Sequence, residues 1–381
     1  MTAPLAFGHD VDAKDSPKLE LAALRHSGAP RAITRRSRLI GVEQRLLGRL
    51  RARSFDADSV LLVGFSGGTD SLALAAALGR VAELAGVRLV LAHVDHGLRP
   101  ESRSEQDRAA EIAERFALPF RRLRLDPEPT RRHPGVGIEE AARRDRYLAL
   151  AALCRSLDGR CVVLAHQRDD QAETVLLHLL RGAGLAGARG MAEWGVRPVP
   201  WWGGAGVAID LSIWRPLLDE PRRGLEAYLG SRGLSPIVDR TNDDVRLRRN
   251  LVRQTILPGI EGAVPGSTAA LARYGRLVAD DDDAMDALAR RLVKGATADD
   301  GSFTLAALRD EPPAVARRAQ RIWLDNSGCG EIETSAERVE SLRNRAATGA
   351  GGRIDLGGGW VAIVRSGRLG LVRGGGGTGV P

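Results

Sequence analysis

The stretch VLLVGFSGGTDS, residues Val60–Ser71, decides the fold. Its first four residues, Val60–Val63, are apolar and uncharged, which is typical of a strand buried on both faces of a parallel sheet. The chain then breaks at Gly64 into a loop of glycines and hydroxyl residues, and from Leu72 the apolar residues recur with helical spacing. A strand, a glycine loop and a helix N-terminus in this order predict an anion-binding site, because the free N–H groups at the helix start point towards the ligand.

The loop itself contains Ser66, Gly67, Gly68, Thr69, Asp70 and Ser71. The glycines allow the backbone to approach phosphate oxygens closely, and the hydroxyls add hydrogen-bond donors. A carboxylate beside phosphates indicates a bridging cation, so Asp70 predicts Mg²⁺. The loop lacks the lysine of the P-loop and the spacing of the dinucleotide-binding G-x-G-x-x-G motif. It resembles the S-G-G-x-D-S signature of the N-type ATP pyrophosphatases, or PP-loop enzymes, which cleave ATP to AMP and pyrophosphate and so adenylate a substrate.

The length of the chain is sufficient for two domains, and its charge favours a polyanionic partner. The 381 residues are 43% hydrophobic, and the formal net charge is +8. All but three of the 56 basic residues are arginine, which binds phosphate in a bidentate manner and stacks on bases better than lysine does.

The cysteines and the N-terminus predict a cytoplasmic chain. Cys154, Cys161 and Cys329 form no C-x-x-C pair and are odd in number, so neither a zinc site nor a disulfide framework is indicated. The N-terminus lacks a basic segment followed by an apolar one, so no signal peptide is expected, and no apolar run is long enough to span a membrane.

The alternation of strand and helix predicts an α/β fold with a doubly wound parallel sheet in residues 39–258. Residues 1–38 are predicted to be a disordered basic tail. A helical tRNA-binding domain is expected over 259–350, and a small β-hairpin with a flexible tail over 351–381. The glycine-rich segment 182–206 is expected to be a flexible loop that could cover the site.

Two further predicted strands end in polar residues. The strand over 87–94 has His93 near its end, and the strand over 160–166 ends at His166. Asp169, Asp170 and Glu173 then open the next helix. Such carboxylates could simply cap the helix, but their position beside a phosphate loop favours cation binding. The carboxyl ends of parallel strands lie at one edge of a sheet, where α/β sites occur.

The helix that begins at Ile138 carries a polar face. Glu139, Arg143, Arg146 and Tyr147 fall on one side of it by their spacing. Ion pairs on a solvated face, such as Glu139 with Arg143, would explain this pattern as well as a functional site would.

An ordered set of blocks extends the resemblance. The blocks are FSGGTDS, HVDHGLR, GIEEAARRDRY, AHQRDDQAET, RGAGLAG, RPLL and DRTNDDVRLRRNLVR, between about Val60 and Pro258. In this order they resemble the tRNA(Ile)-lysidine synthase family of PP-loop enzymes. The last third of the chain resembles that family only in being helical and then β-like.

The resemblance implies a ligase that uses ATP and Mg²⁺. Such an enzyme adenylates O2 of the wobble cytidine in a minor isoleucine tRNA with a CAU anticodon. The amine of free L-lysine then displaces AMP and gives lysidine. The resemblance implies no membrane partner, and it leaves a homodimer open as the oligomeric state.

The resemblance also assigns roles to residues. The implied catalytic residues are Asp70, Arg143 and Asp170, of which Asp70 and Asp170 hold the metal. The implied ATP-binding residues are Ser66, Gly67, Gly68, Thr69, Asp70, Ser71, His93 and His166. Lysine is expected to contact Asp169 and Glu173, with Asp170 as a third available carboxylate, and tRNA is expected to contact Arg248, Arg249, Asn250 and Arg253.

Some positions depart from the family pattern, and other functions stay open. Gln167 and Arg168 occupy places where the family often has histidine or alanine, and Leu247 replaces a common tyrosine. A tRNA thiolase on the same fold is the main alternative, although Cys154 and Cys161 do not form the cysteine pair that such enzymes use. An amidating ligase and an RNA-binding module without chemistry are further alternatives.

Overall fold

The computed structural model describes residues 38–95, 102–125, 127–200, 208–237, 248–329, 336–348 and 351–373. The chain divides into two compact units, Met1–Gly182 with Gly190–Gly275, and Ala183–Arg189 with Arg276–Pro381. Almost all of the tail that was predicted to be disordered lies outside the described residues. The predicted domain limits at residues 258 and 350 stay a prediction.

The first unit contains a six-stranded, mostly parallel sheet. Its strands are β1 (Val60–Gly64), β2 (Arg88–Asp95), β3 (Phe120–Arg124), β4 (Cys161–Val163), β5 (Trp194–Val199) and β6 (Ile209–Trp214). Their order is β3-β2-β1-β4-β6-β5, and only β5 is antiparallel to its neighbour. The chain moves from β1 outwards to β3 and then returns to β4 on the other side of β1. The loops after β1 and β4 therefore flank a topological switch point, where α/β sheets bind their ligands.

Helices connect these strands as the sequence predicts. They are α1 (Gly41–Arg53), α2 (Thr69–Val81), α3 (Ser102–Arg115), α4 (Pro129–Arg132), α5 (Ile138–Ser156), α6 (Arg168–Leu180), α7 (Leu185–Ala188), α8 (Arg222–Ser231), α9 (Arg248–Leu251) and α10 (Leu257–Ala263). A π-helical turn, Val252–Ile256, joins α9 to α10, and the long helix α11 (Ser267–Ala296) follows. None of the helices within the described part of the chain is long and apolar enough to cross a membrane.

Strand β1 lies at the centre of the core. Leu61 and Val63 pack into the apolar cluster that contains α1 and α2, whereas Val60 and Leu62 pack into the cluster that contains α5. All four are at most 4% exposed, because helices cover both faces of the sheet. The prediction of an α/β fold built on this stretch is confirmed.

The prediction of a flexible loop over 182–206 is wrong where residues 185–188 and 194–199 form a helix and a strand, and residues 201–206 lie outside the described part of the chain. Residues 194–199 form strand β5, which pairs with β6 so that Trp194 lies opposite Trp214. The strand lies at the edge of the sheet, and its Val196 is 59% exposed. An edge strand of this kind lacks the apolar alternation by which strands are recognised, so the many glycines around it favoured a loop.

The second unit has its own core. Its antiparallel sheet has the order β7-β10-β9-β8, from β7 (Phe303–Thr304), β8 (Gly352–Gly357), β9 (Trp360–Arg365) and β10 (Arg368–Arg373). Helices α12 (Pro313–Leu324) and α13 (Ala336–Thr348) pack with it around Phe303 and Trp323. The predicted β-hairpin is therefore a three-stranded meander that gains a fourth short strand.

Candidate active site

The loop after β1 is held by hydrogen bonds between its own hydroxyl groups. The Oγ atoms of Ser66 and Ser71 lie 3.0 Å apart, and the Ser71 hydroxyl also donates to the carbonyl of Gly68 at 3.1 Å. Helix α2 begins at Thr69, so the N–H groups of its first turn lie directly after the glycines. Two of the three predicted hydroxyl donors thus fix the shape of the loop, and its backbone N–H groups have the arrangement that suits an anion.

Gly67 must be glycine for two independent reasons. Its φ angle is +79°, which residues with a side chain rarely adopt. A Cβ atom at this position would also lie 2.4 Å from Cδ1 of Ile237. The backbone of Ile237 donates to the Gly67 carbonyl at 2.9 Å, so the buried residue before the undescribed segment 238–247 anchors the loop.

His93 supports the loop from the neighbouring strand β2. Its Nδ1 atom lies 3.0 Å from the carbonyl oxygen of Phe65, and the side chain is buried. Burial lowers the pKa of His93, which favours the neutral ring. The geometry gives His93 a part in positioning the loop, while its expected contact with ATP stays a prediction.

Asp70 is the exceptional carboxylate of the site. It lies in the first turn of α2, and its Oδ1 atom is buried without a hydrogen-bond partner among the residues that the structure describes. Burial and the nearby Asp170 carboxylate raise the pKa of Asp70 to about 6. Such an oxygen is available to a cation. Mg²⁺ is commonly held by substrate phosphates and one or two carboxylates, and Asp70 with Asp170 nearby fits that set of ligands.

The carboxylates after β4 are already engaged. Asp170 accepts from the backbone N–H of Gln167 at 3.0 Å, and the side chain of Gln167 accepts from the N–H of Asp169 at 2.6 Å, so the start of α6 is capped. Burial raises the pKa of Asp169. Asp170 also forms an ion pair with Arg253 at 2.6 Å. The capping interpretation and the site interpretation of these residues therefore both apply.

A basic cavity of about 1120 Å³ lies in the first unit beside these residues. Seven arginines line it: Arg143, Arg146, Arg181, Arg197, Arg215, Arg248 and Arg249. Among the described residues its wall also includes His166, Asn250 and only two carboxylates, Glu139 and Glu140. An accumulation of guanidinium groups with so few acids is suited to polyanionic ligands.

Tyr147 contacts three of the arginines that line this cavity. The Cζ atoms of Arg143 and Arg146 lie 5.5 and 5.9 Å from its ring centroid, and Arg215 hydrogen-bonds its hydroxyl. Burial raises the pKa of Tyr147, but Arg143 and its neighbouring arginines outweigh that effect and lower it overall. The suggested Glu139–Arg143 ion pair is not formed. The ion pair on this helix joins the neighbouring residues Glu140 and Arg144 at 3.2 Å.

His166 is a neutral group within a positive surrounding. Burial, followed by the charges of Arg215 and Arg249, lowers its pKa well below the ordinary value. Its Nδ1 atom is buried and has no hydrogen-bond partner within the described residues. A ligand in the cavity could satisfy that atom.

The structure thus brings the expected segments to one edge of the sheet. Asp70 is electrostatically coupled to Asp170, Asp170 pairs with Arg249, and Arg249 lines the same cavity as Arg143 and His166. Sequence reasoning missed Arg181, Arg197 and Arg215, which extend the cavity. Arg215 had a signal, because it directly follows strand β6, at the edge where the other site residues gather.

Comparisons with known proteins agree with this geometry. The PP-loop domain family matches residues 42–260, so the chain belongs to the PP-loop class of ATP-binding proteins. A tRNA(Ile)-lysidine synthase of Methylococcus capsulatus is 38% identical over 81% of this chain and 67% of its own length. The corresponding protein of Salinispora tropica is 38% identical over 81% of this chain and 89% of its own length. The chain is a member of the tRNA(Ile)-lysidine synthase family.

Other relatives are longer, and the chain spans 54% of the length of the Thermus thermophilus tRNA(Ile)-lysidine synthase, with 36% identity. Among solved structures, the U34-tRNA thiolase NcsA of Methanococcus maripaludis aligns over 62% of this chain and 78% of that chain. Its TM-score is 0.49 and the sequence identity is 16%.

Proposed function

We propose that the chain is an ATP-dependent ligase that joins lysine to C2 of the wobble cytidine in an isoleucine tRNA with a CAU anticodon. The observation that carries this proposal is the pairing of the PP-loop, with the unpartnered oxygen of Asp70, and an arginine-lined cavity at one sheet edge. Family membership gives the specific reaction.

The reaction has two steps that balance. The cytidine O2 atom attacks the α-phosphorus of ATP, the bond to the β-phosphate breaks, and pyrophosphate leaves with its electron pair. The ε-amine of lysine then attacks C2, the C2–O2 bond breaks, and AMP leaves while the nitrogen loses protons to solvent. Adenylation turns a poor leaving oxygen into AMP, so the protein chiefly has to align reactants and stabilise charge.

The chain's own residues supply that alignment. The backbone N–H groups and hydroxyls of Ser66–Ser71 are the proposed binding site of the pyrophosphate, and Arg143 is the proposed partner of the α-phosphate. Mg²⁺ would neutralise phosphate charge when bound, with Asp70 as its first proposed ligand and Asp170 as its second. Tyr147 positions Arg143 through its ring face.

The remaining assignments stay proposals. Lysine is assigned to Asp169 and Glu173, and tRNA to Arg248, Arg249, Asn250 and Arg253. Asn250 and the two arginines Arg248 and Arg249 line the cavity, where a nucleotide could reach them. A homodimer stays a prediction.

Sulfur transfer is the second candidate, and the described cysteines argue against it. Cys154 and Cys161 are both buried, and burial raises their pKa values to about 11 and about 12. The reactive form of cysteine is the thiolate, which these two thiols do not form near neutral pH.

Labelled lysine tests the proposal directly. Purified chain, ATP, Mg²⁺ and the CAU isoleucine tRNA should place the label in the tRNA and release AMP and pyrophosphate in equal amounts. The same tRNA with uridine at the wobble position serves as the control. Asp70→Asn should abolish adenylation and leave tRNA affinity within about twofold, because that carboxylate is assigned to the metal. Label-free tRNA after incubation with the unaltered chain would refute the assignment.

A further inference from the structure

Two carboxylates and two arginines form a closed ion-pair cluster beside the loop, here termed the clasp: Asp170, Glu173, Arg249 and Arg253. Arg253 donates to Glu173 at 2.6 Å through Nε and to Asp170 at 2.6 Å through Nη2. Arg249 donates to Glu173 at 3.0 Å and reaches Asp170 at 3.5 Å. The two negative and two positive charges satisfy one another.

Helical spacing on both sides produces the clasp. Asp170 and Glu173 are three residues apart on α6, and Arg249 and Arg253 are four apart across α9 and the π-helical turn. An apolar contact of Ala172 with Val252 and Leu257 holds the two segments together beside the ion pairs. The arginine side chains can therefore move while the helices stay packed.

The acids of the clasp are more deeply buried than its arginines. The side chains of Asp170 and Glu173 are 8% and 1% exposed, whereas those of Arg249 and Arg253 are 37% and 27% exposed. The arginines thus cover the acids and present their outer N–H groups to solvent. A cation that approaches the acids meets the arginines first.

Under the proposed function, the acids and the arginines of the clasp each have a second possible partner of opposite charge. The acids are assigned to the lysine ammonium or the metal, and the arginines to RNA. We infer that Arg249 and Arg253 block the lysine subsite until RNA phosphates draw them away, so that RNA binding opens the site to lysine. This inference rests on the proposed function.

Charge pairing makes such an exchange favourable. Breaking a buried pair by removing one partner leaves an uncompensated charge, which is strongly unfavourable. When phosphates take the guanidinium groups, an ammonium can pair with Glu173 and the metal with Asp170, so each charge again has a partner. Without RNA, lysine would have to displace two arginines whose ion pairs, among the described residues, are all with Asp170 and Glu173. The coupling is reciprocal, so lysine should also strengthen RNA binding.

Equilibrium dialysis of labelled lysine against the full chain, without ATP, measures the coupling before any chemistry. Saturating CAU isoleucine tRNA should tighten lysine binding about tenfold, a common size for coupled sites. Arg253→Gln should tighten lysine binding without RNA by a similar factor and reduce the RNA effect to less than about twofold. Arg249→Gln provides a second variant in case the first misfolds.

Arg155→Gln is the matched control, because it removes the same charge from an exposed position near the end of α5 and outside the segment predicted to bind tRNA. It should leave the tenfold RNA effect unchanged. Equal lysine affinity with and without RNA in the unaltered chain, or undetectable lysine binding in both, would overturn the inference. Failure of the proposed function is a separate result, since it appears as absent lysidine synthesis in the complete assay, whereas failure of the clasp leaves synthesis intact.

Discussion

Replacing Asp70 by asparagine is expected to stabilise the folded chain at pH 8 while it removes the proposed metal ligand. The reason is that Asp70 carries a buried charge without a hydrogen-bond partner on Oδ1 in the described structure, close to a second carboxylate. The asparagine amide has the same shape and no charge. Function and stability are therefore expected to move in opposite directions at this position.

The size of the effect follows from the pKa of Asp70. Its ordinary value of 3.8 is raised to about 6 in the folded chain, which corresponds to about 3 kcal/mol at pH 8. The folded state binds the proton more tightly, so this contribution to stability is fully present below pH 3.8 and is lost as the pH rises through about 6. The amide oxygen of asparagine stays unpartnered, so we expect a net gain of about 1–2 kcal/mol at pH 8.

Urea unfolding of both proteins, followed by circular dichroism at pH 8 and pH 4 without ATP or metal, tests this reasoning. The advantage of Asp70→Asn should fall by about 2 kcal/mol between the two pH values, whatever its absolute size. Asp299→Asn, at an exposed position of the second unit, should show no comparable change. A variant advantage that is the same at both pH values would refute a raised pKa at Asp70.

Two further predictions concern the loop and the thiols. Gly67→Ala should destabilise the first unit by about 1–3 kcal/mol, because of its left-handed backbone and the clash with Ile237; Gly68→Ala, whose Cβ would meet only a hydroxyl at 3.5 Å, should cost less, and equal urea midpoints would contradict this. In the folded chain, Cys154 and Cys161 should react with iodoacetamide at pH 7.5 at least about tenfold more slowly than in urea. Their double replacement by alanine should leave lysidine synthesis within about twofold, and loss of activity with the fold intact would revive the thiolase alternative.

The sequence predicts most of the sheet because each central strand is buried on both faces. Val60–Val63 is apolar throughout, and the polar residues at its end follow directly. The same reasoning predicts His93 and His166 at strand ends, whereas in the structure His93 lies two residues before the end of β2 and His166 three residues after the end of β4. It fails for β5, an exposed edge strand whose partner β6 begins some ten residues later.

The site is harder to predict than the sheet. Sequence spacing shows which residues share a face of one helix, but it does not show which other segment packs against that face. Asp170 and Arg253 were therefore given separate partners, although they are 2.6 Å apart. Similarly, Glu139 and Arg143 have the spacing of an ion pair, yet the ring of Tyr147 takes the arginine. The pairing of Asp170 with Arg253 depends on the tertiary structure, because the two residues are far apart in the sequence.

The concentration of arginines around Tyr147 affects the stability of the first unit. Like charges held close together in a partly dehydrated space repel one another, and salt screens such repulsion only weakly. Binding of a polyanion in this cavity is therefore expected to offset the repulsion between the guanidinium groups. A bound polyanion should then raise the free energy of unfolding of the first unit, in addition to any part it has in the reaction.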